Sequence, residues 1–276
     1  MQAEFAPAGA GMIHLTDREF GEFVGYMREH YGIDLGKKRL LIEARLFSVL
    51  AEKKIGSFTE YFSLIRGNPA ERNVMLDRLT TNHTYFMREP RHFEFLRERI
   101  LPEITKKHPD KCLRIWSAGC STGEEAYTAV MVMKEWFGPG ADWDYRILAT
   151  DLSTRVLSAA RQGTYPRESL RSLPRGWEKR YFRRDGEAFR LSDEVKREVI
   201  FRRLNLMEPF PFHHPFDLIF CRNVMIYFNQ RTKNELIAKF CDALTPGGYL
   251  LIGHSETVQR DTVNLKYIEP SIYQKG

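Results

Sequence analysis

The residues Leu113 to Glu125, LRIWSAGCSTGEE, decide how the rest of the chain is read. Leu113, Ile115 and Trp116 make an apolar strand that runs into the small residues Ser117-Ala118-Gly119-Cys120-Ser121-Thr122-Gly123. Glu124 and Glu125 then open a helix continued by AYTAVMVMKEWF. Strand, tight small-residue loop and helix N-terminus form the device by which open α/β sheets let a nucleotide-like ligand reach the backbone. The charge placed there selects the ligand. Two carboxylates on a first turn repel a phosphate and welcome a cation or hydroxyl groups. The loop is not G-x-G-x-x-G and no G-K-[ST] follows, which speaks against dinucleotide and P-loop sites. An adenosyl ligand with a positive sulfonium and no phosphate, S-adenosylmethionine, suits it. The same residues also read as a plain tight turn whose carboxylates complement the helix dipole.

With 276 residues the chain can bury a full core, in one large or two modest domains. Hydrophobic residues at 43% and charged residues at 28% are those of an ordinary soluble protein. No apolar run approaches the length of a membrane span. The start, MQAEFAPAGAGM, has neither a charged nor an apolar signal region and reads as a short frayed tail. Cys112, Cys120, Cys221 and Cys241 are scattered, and no C-x-x-C or Cys/His cluster with zinc spacing occurs, so reduced thiols, a cytoplasmic location and no metal are expected. A net charge of +6 favours an acidic partner without naming it.

Outward from the opening stretch, CLRIWSAG, DYRILATDL, FDLIFCRNV and GGYLLIGHSE are short apolar runs separated by helical segments, the pattern of a parallel sheet wrapped by helices. LKYIEPSIYQK supplies two further strands, expected antiparallel at the sheet edge. Tyr165 to Arg203 breaks the alternation. RYFRRDGEAFRLSD reads as a hairpin about Asp185-Gly186 and VKREVIFRRLNL as a third strand, giving a small antiparallel lobe over residues 165–204. Before Arg78 the pattern is helical. Thr16-Asp17-Arg18-Glu19 is a capping box leading to Phe20, Phe23, Val24 and Met27 on one face, and Lys37 to Ile55 is a long helix. Ser57 and Asn68-Pro69 open two more. The expected division is a helical domain at 12–80, a linker at 81–92 that contributes to the ligand site, and a sheet domain at 93–276.

Ligands in open α/β sheets lie outside the C-terminal ends of the strands. Asp151 ends RILATD, where its carboxylate can accept both ribose hydroxyls or, alternatively, cap the following helix. Asn205-Leu206 ends IFRRLNL and reads either as an adenine contact or as a turn. Arg222-Asn223 ends FDLIFCRN, and two long polar groups after core-type residues need partners if buried.

T-N-H-T-Y-F-M-R-E before a helix, W-S-A-G-C-S-T-G-E-E-A-Y-T, A-T-D, N-L and F-C-R-N-V-M-I-Y-F together resemble chemotaxis receptor methyltransferases of the CheR family. The resemblance runs from about Met12 to the end. It implies a Rossmann-like class I methyltransferase sheet with an N-terminal helical domain and an inserted β lobe. It also implies S-adenosylmethionine-dependent methylation of receptor glutamates, leaving S-adenosylhomocysteine. Cofactor contacts carried over by motif are Asn82, Thr84, Arg88, Glu125, Asp151, Asn205, Leu206, Arg222 and Asn223, with backbone from Ala118 and Gly119. Gly119-Cys120 stands where Ala-Ala is common and Ala126 where Pro is common; neither change removes a polar contact.

An ionised glutamate is already a nucleophile and a sulfonium methyl is already activated, so no general base is needed. In-line placement and drying of the carboxylate should supply the rate. Arg88 is the candidate for orienting the glutamate, and Tyr227 either helps or is a half-buried aromatic of MIYF. Lys38, Arg45 and Lys53, with Lys37, Arg39 and Lys54, put basic charge on one helix that either docks an acidic helical receptor or is merely solvated. Some family members bind a pentapeptide receptor tail through a longer, glycine-rich hairpin loop; Arg184-Asp185-Gly186-Glu187 is too short, so independence from the tail is expected. The partner is then the cytoplasmic helical region of chemoreceptors, met by a monomer without membrane insertion. Two rivals stand beside this reading. Arginines of the β lobe would suit a nucleic-acid methyltransferase, but C-R-N-V is not the N/D-P-P-Y-type motif of base methylation, and no nucleic-acid partner is expected. A non-catalytic cofactor-binding adaptor would keep the same residues.

Overall fold

The computed structural model describes residues 13–259 and 263–276, so the N-terminal tail lies outside the described residues. After Thr81 the chain divides into two compact units.

The first unit is helical: α1 (Asp17–Tyr31), α2 (Arg39–Lys53), α3 (Phe58–Gly67) and α4 (Pro69–Leu79). Thr16 and Glu19 close the capping box reciprocally, with Glu19 N donating to Thr16 Oγ1 (3.2 Å) and Thr16 N to Glu19 Oε2 (2.9 Å). Ser57 and Asn68 cap α3 and α4 through their side chains. Phe23, Val24 and Met27 are buried with Ile42, Leu46 and Phe62, while Phe20 stays half-buried. The basic helix is shorter than its sequence suggests. Lys37 and Lys38 precede α2, and Lys54 closes it in a left-handed conformation. Nor is its charge all on the surface. Arg45 Nη1 donates to Leu79 O (2.7 Å) and Nη2 to Thr81 Oγ1 (3.0 Å), satisfying the exposed carbonyl end of α4. Lys53 pairs with Glu71 at 2.8 Å. Of the three docking candidates, Lys38 alone is both exposed and uncommitted to a side-chain partner among the described residues.

The second unit opens with α5 (Arg91–Phe95), a π-helical turn (Leu96–Ile100) and α6 (Leu101–Lys107). Pro102 explains the widened turn: it lacks an N–H and its ring crowds the carbonyl four residues back. There follow β1 (Ile115–Ala118), α7 (Glu124–Phe137), β2 (Ile147–Asp151), α8 (Thr154–Gln162), β3 (Thr164–Pro166), α9 (Trp177–Tyr181), β4 (Phe182–Asp185), β5 (Ala188–Leu191) and α10 (Asp193–Lys196). The chain ends with β6 (Val199–Arg203), β7 (Phe216–Cys221), α11 (Gln230–Ala243), β8 (Leu244–Ile252), β9 (Leu265–Glu269) and β10 (Ile272–Lys275). Seven strands form one sheet in the order β6-β2-β1-β7-β8-β10-β9. The first five are mutually parallel, and β10 runs antiparallel between β8 and β9. Strand order reverses at β1, so β1 and β7 are neighbours whose connections leave in opposite directions. That is the switch point where a crevice opens beyond the strand ends.

The antiparallel lobe exists, but its membership differs from the expectation. Its order is β3-β5-β4, and Val199–Arg203 instead joins the large sheet, parallel to β2. Burial decides this. Val199 and Phe201 are buried on the sheet face, and Tyr127 packs edge-on to Phe201 at 5.6 Å. The lobe's third strand is Thr164–Pro166, whose Tyr165 packs against Phe86 at 4.8 Å. Its hairpin is tight: Asp185 pairs with Ala188, leaving Gly186 at φ 61 and Glu187 as the whole turn.

Candidate functional site

At the open ends of β1 and β2, the backbone is folded upon itself. Gly119 N and Cys120 N both donate to Thr150 O (2.8 and 2.9 Å), Gly123 N to Cys120 O (3.0 Å), and Ser121 N to Asp151 Oδ2 (2.9 Å). Four N–H groups of the bend are thus spent on protein acceptors, and the α7 first turn that follows has no side-chain cap and carries the carboxylates of Glu124 and Glu125, which disfavour a phosphate there. Gly119 sits at φ +82, and a Cβ there would fall inside contact distance of Val224 Cγ2, on the loop after β7. Backbone alone lines this close approach. Asp151 takes one N–H on each oxygen, from Ser121 and from Ser153 (both 2.9 Å). The alternative reading of Asp151 as a helix cap fails, because Ser153 caps α8 through its own hydroxyl (Val156 N, 3.2 Å).

Across the crevice, at the ends of β7 and β8, the chemistry changes to buried charge. Arg222 is buried and its guanidinium is almost fully spent. Nε and Nη2 donate to Glu89 Oε2 (3.3 and 3.2 Å), Nη1 to Glu125 Oε2 (3.2 Å), and Nη2 also to Arg88 O. Of five N–H donors, one on Nη1 is left. Asn223, at φ +60, gives its amide to Glu89 Oε1 (3.3 Å) and its N–H to Glu256 Oε2 (2.9 Å). Glu256, buried past the end of β8, also accepts from Gly253 N (2.6 Å) and Ile226 N (3.2 Å). Met87, Glu89, Ser121 and Asn223 all hold left-handed backbone without being glycine. Such strain gathers where surrounding contacts over-determine a site.

Electrostatics separate the carboxylates. Burial pushes Glu89 up, but Arg222, the His254 N–H and the Asn223 amide outweigh it and hold the group below the usual carboxylate range. Burial wins at Glu125, which is raised despite Arg222 and the Ser117 hydroxyl at 2.7 Å. It also wins at Glu256, despite its backbone donors, and at Glu124. The two acids of the α7 first turn are thus not equivalent. Glu125 belongs to the network, whereas Glu124 is buried and accepts the Thr122 hydroxyl (2.6 Å).

The structure brings most of the expected residues together. Ser121 Oγ donates to Asn82 O (2.9 Å), and Met87 N to Thr128 Oγ1 (3.3 Å), so residues 82–90 lie on the sheet unit beside the bend. Arg88 is half-buried, with Nη1 on His83 O (2.8 Å). Ala118 is buried at the end of β1. Thr84 makes no hydrogen bond in the network among the described residues, and Tyr227, about one-third exposed on a short 3₁₀ turn, keeps its hydroxyl unbonded among them. Asn205 follows Leu204, whose N–H donates to Asp151 O (3.1 Å). Its side chain builds a turn, accepting from Met207 N (3.1 Å), and the Leu206 carbonyl takes Lys239 Nζ (2.6 Å). The turn reading thus describes what the Asn205 side chain does here. Glu89 and Glu256 escaped sequence reasoning. Glu89 lies inside the M-R-E motif and Glu256 just past a parallel strand; position relative to strand ends was the available signal.

A sheet of this order, with a donor-spent glycine bend after its first strand and an acid ending its second, defines a class I S-adenosylmethionine-dependent methyltransferase. Residues 82–273 match the family model described as CheR methyltransferase, SAM binding domain, and residues 18–80 that described as CheR methyltransferase, all-alpha domain. A chemotaxis protein methyltransferase of Borreliella burgdorferi is 44% identical over 96% of both chains. Chemotaxis protein methyltransferase 2 of Pseudomonas aeruginosa is 36% identical over 94% of both. The crystal structure of a Mesorhizobium loti S-adenosylmethionine dependent methyltransferase overlaps 55% of this chain and 51% of its own, at 19% identity and a TM-score of 0.32. The chain belongs to the CheR methyltransferase family.

Proposed function

We propose that the protein methylates glutamate side chains of chemotaxis receptors, producing glutamyl methyl esters. Support comes from the family, from relatives named chemotaxis protein methyltransferases, and from the chemistry of the crevice. The observation that carries the reading is the bend at Gly119, with four of its N–H groups spent on protein acceptors and carboxylates on either side. When bound, S-adenosylmethionine supplies a methyl group already activated by a positive sulfonium. Asp151 is assigned to the ribose hydroxyls, and the Ala118-Gly119 backbone with Asn82 and Thr84 to the surrounding wall. Glu125 and Glu89 leave the crevice negative toward a cation, and Arg222 holds both in place while offering its last N–H. Asn223 positions Glu89. Asn205 and Leu206 contribute through backbone, since the Asn205 side chain is engaged in its turn.

Arg88 faces the entering glutamate and orients it. A guanidinium that gripped tightly would blunt the nucleophile, so its part is geometric. Tyr227 is assigned to donate its hydroxyl to the same carboxylate. No residue need remove a proton, because the attacking carboxylate is ionised at neutral pH. On the helical unit, Lys37 and Lys38 with the exposed Leu40 are the docking surface for an acidic receptor helix. The two-residue turn Gly186-Glu187 favours action without a receptor tail.

Tritium from labelled cofactor should pass to receptor-bearing membranes as a base-labile ester. Label on nucleic acid would favour the first rival, and cofactor binding without any transfer the adaptor. Asp151→Asn should lower affinity for S-adenosylhomocysteine by roughly 10- to 100-fold, the loss of charge-assisted hydrogen bonds. Unchanged affinity in calorimetry would misplace the ribose. Saturable binding of a receptor-tail pentapeptide would contradict tail independence.

A further inference from the structure

Beside the Arg222 network, Glu89 meets two histidines that methyl transfer does not use. His92 is wholly buried, and neither of its ring nitrogens has a hydrogen-bond partner. A buried imidazole left so forfeits the bonds it made to water, and such groups call for an explanation. Its Nδ1 stands 3.5 Å from Glu89 Oε2, yet the two do not have hydrogen-bond geometry. His254, exposed on the turn after β8, packs edge-on to His92 with ring centroids 5.2 Å apart. One donor atom from each of Glu89, His92 and His254 lies within 4.8 Å of the others.

Two ligands bound tetrahedrally to zinc at about 2.0–2.1 Å sit about 3.4 Å apart. The Glu89–His92 pair is therefore already at that separation. The remaining adjustment falls on His254, an exposed side chain free to turn inward. A neutral imidazole keeps a lone pair on one ring nitrogen, and the Nδ1 of His92 is the nitrogen that stands against Glu89. Two imidazoles and one carboxylate, with a position left for water, suit zinc better than magnesium or calcium.

We propose that Glu89, His92 and His254 bind a divalent transition-metal ion of the zinc type. The site is inhibitory by construction. Glu89 Oε2 also receives Arg222, so an ion drawn onto that oxygen competes with the guanidinium and loosens the wall of the crevice. Metal and adenosyl ligand then weaken each other's binding by the same factor. No spacing pattern announces these ligands, because His92 and His254 lie far apart along the chain, in α5 and after β8.

The metal-stripped full chain, without cofactor, should be titrated with Zn²⁺ against a chromophoric chelator. One equivalent should bind, and His254→Ala should weaken it about 10- to 100-fold while leaving thermal unfolding of the metal-free protein unchanged. Cobalt substitution should give tetrahedral bands without a thiolate charge-transfer band. Equal zinc affinity in His254→Ala, a thiolate band assigning the ion to Cys112, or no saturable binding would each overturn the proposal. Affinity for S-adenosylhomocysteine should fall with zinc in the parent and not in His254→Ala; loss in both would overturn the competition. Metal occupancy is read without methyl transfer, so failure of the methyltransferase reading would leave this result standing, and the reverse.

Discussion

The two walls of the crevice are built by opposite means. On the β1–β2 side, the N–H groups of Gly119, Cys120 and Ser121 are given to Thr150 O and to the half-buried Asp151 carboxylate. On the β7–β8 side, Arg222, Glu89, Glu125, Asn223 and Glu256 form a network of buried charge drawn from four places in the chain. The first wall is shape, cheap to build and intolerant of added atoms. The second is charge, tolerant of small shifts and intolerant of a missing partner, because each member is costly to bury alone. A pocket for a cationic adenosyl ligand needs both: close backbone approach on one side and fixed negative potential on the other.

The largest effect that would test this contrast is loss of the central cation. Arg222→Met strands Glu89 and Glu125 and should cost about 3–5 kcal/mol in urea unfolding. A change below about 1 kcal/mol would mean the network is ornamental to folding. On the opposite wall the failure should be steric. Gly119→Ala introduces a Cβ against Val224 and a left-handed alanine, together about 2–3 kcal/mol. Adding Val224→Ala should return the steric share and leave the backbone share of about 1–2 kcal/mol. If the double variant is no better than the single one, the close approach is not what requires glycine.

Smaller effects sharpen the picture at its margins. Arg45→Ala uncaps α4 and should destabilise the helical unit by about 1 kcal/mol, with receptor methylation unchanged once temperature is lowered. A selective rise in KM for receptor would return Arg45 to the docking surface. Glu124 supplies the pH test. Its folded-state value is raised by burial, so its favourable contribution is complete below the unfolded value and is lost as pH rises through the folded one. Glu124→Gln should therefore gain stability relative to the parent as pH climbs from 4 to 7. Parallel stability curves would show that Glu124 titrates normally.

Legibility followed the same division. The βα turn at Gly119, Asp151 at its strand end and the paired polar residues Arg222-Asn223 were readable because each depends on residues adjacent in sequence. Asn205 was readable as either contact or turn, and its side chain accepts the Met207 N–H in a turn. Val199–Arg203 was readable as a strand but not as a member of the large sheet. Pairing partners are chosen by burial of Val199 and Phe201, which strand periodicity does not express. Arg45 looked like surface charge until the carbonyl end of α4 was placed beside it.

Sequence alone therefore determined the sheet class, the ligand's charge type and the family, since strand alternation, turn chemistry and motif order are encoded within short windows. Tertiary structure decided which charges are buried and who neutralises them. Glu89 became the hub, Arg222 a pillar and His92 an unpartnered imidazole once the chain had folded. The physical reason is that desolvation and Coulomb energy depend on what surrounds a group in space, and those neighbours come from strand ends far apart along the chain.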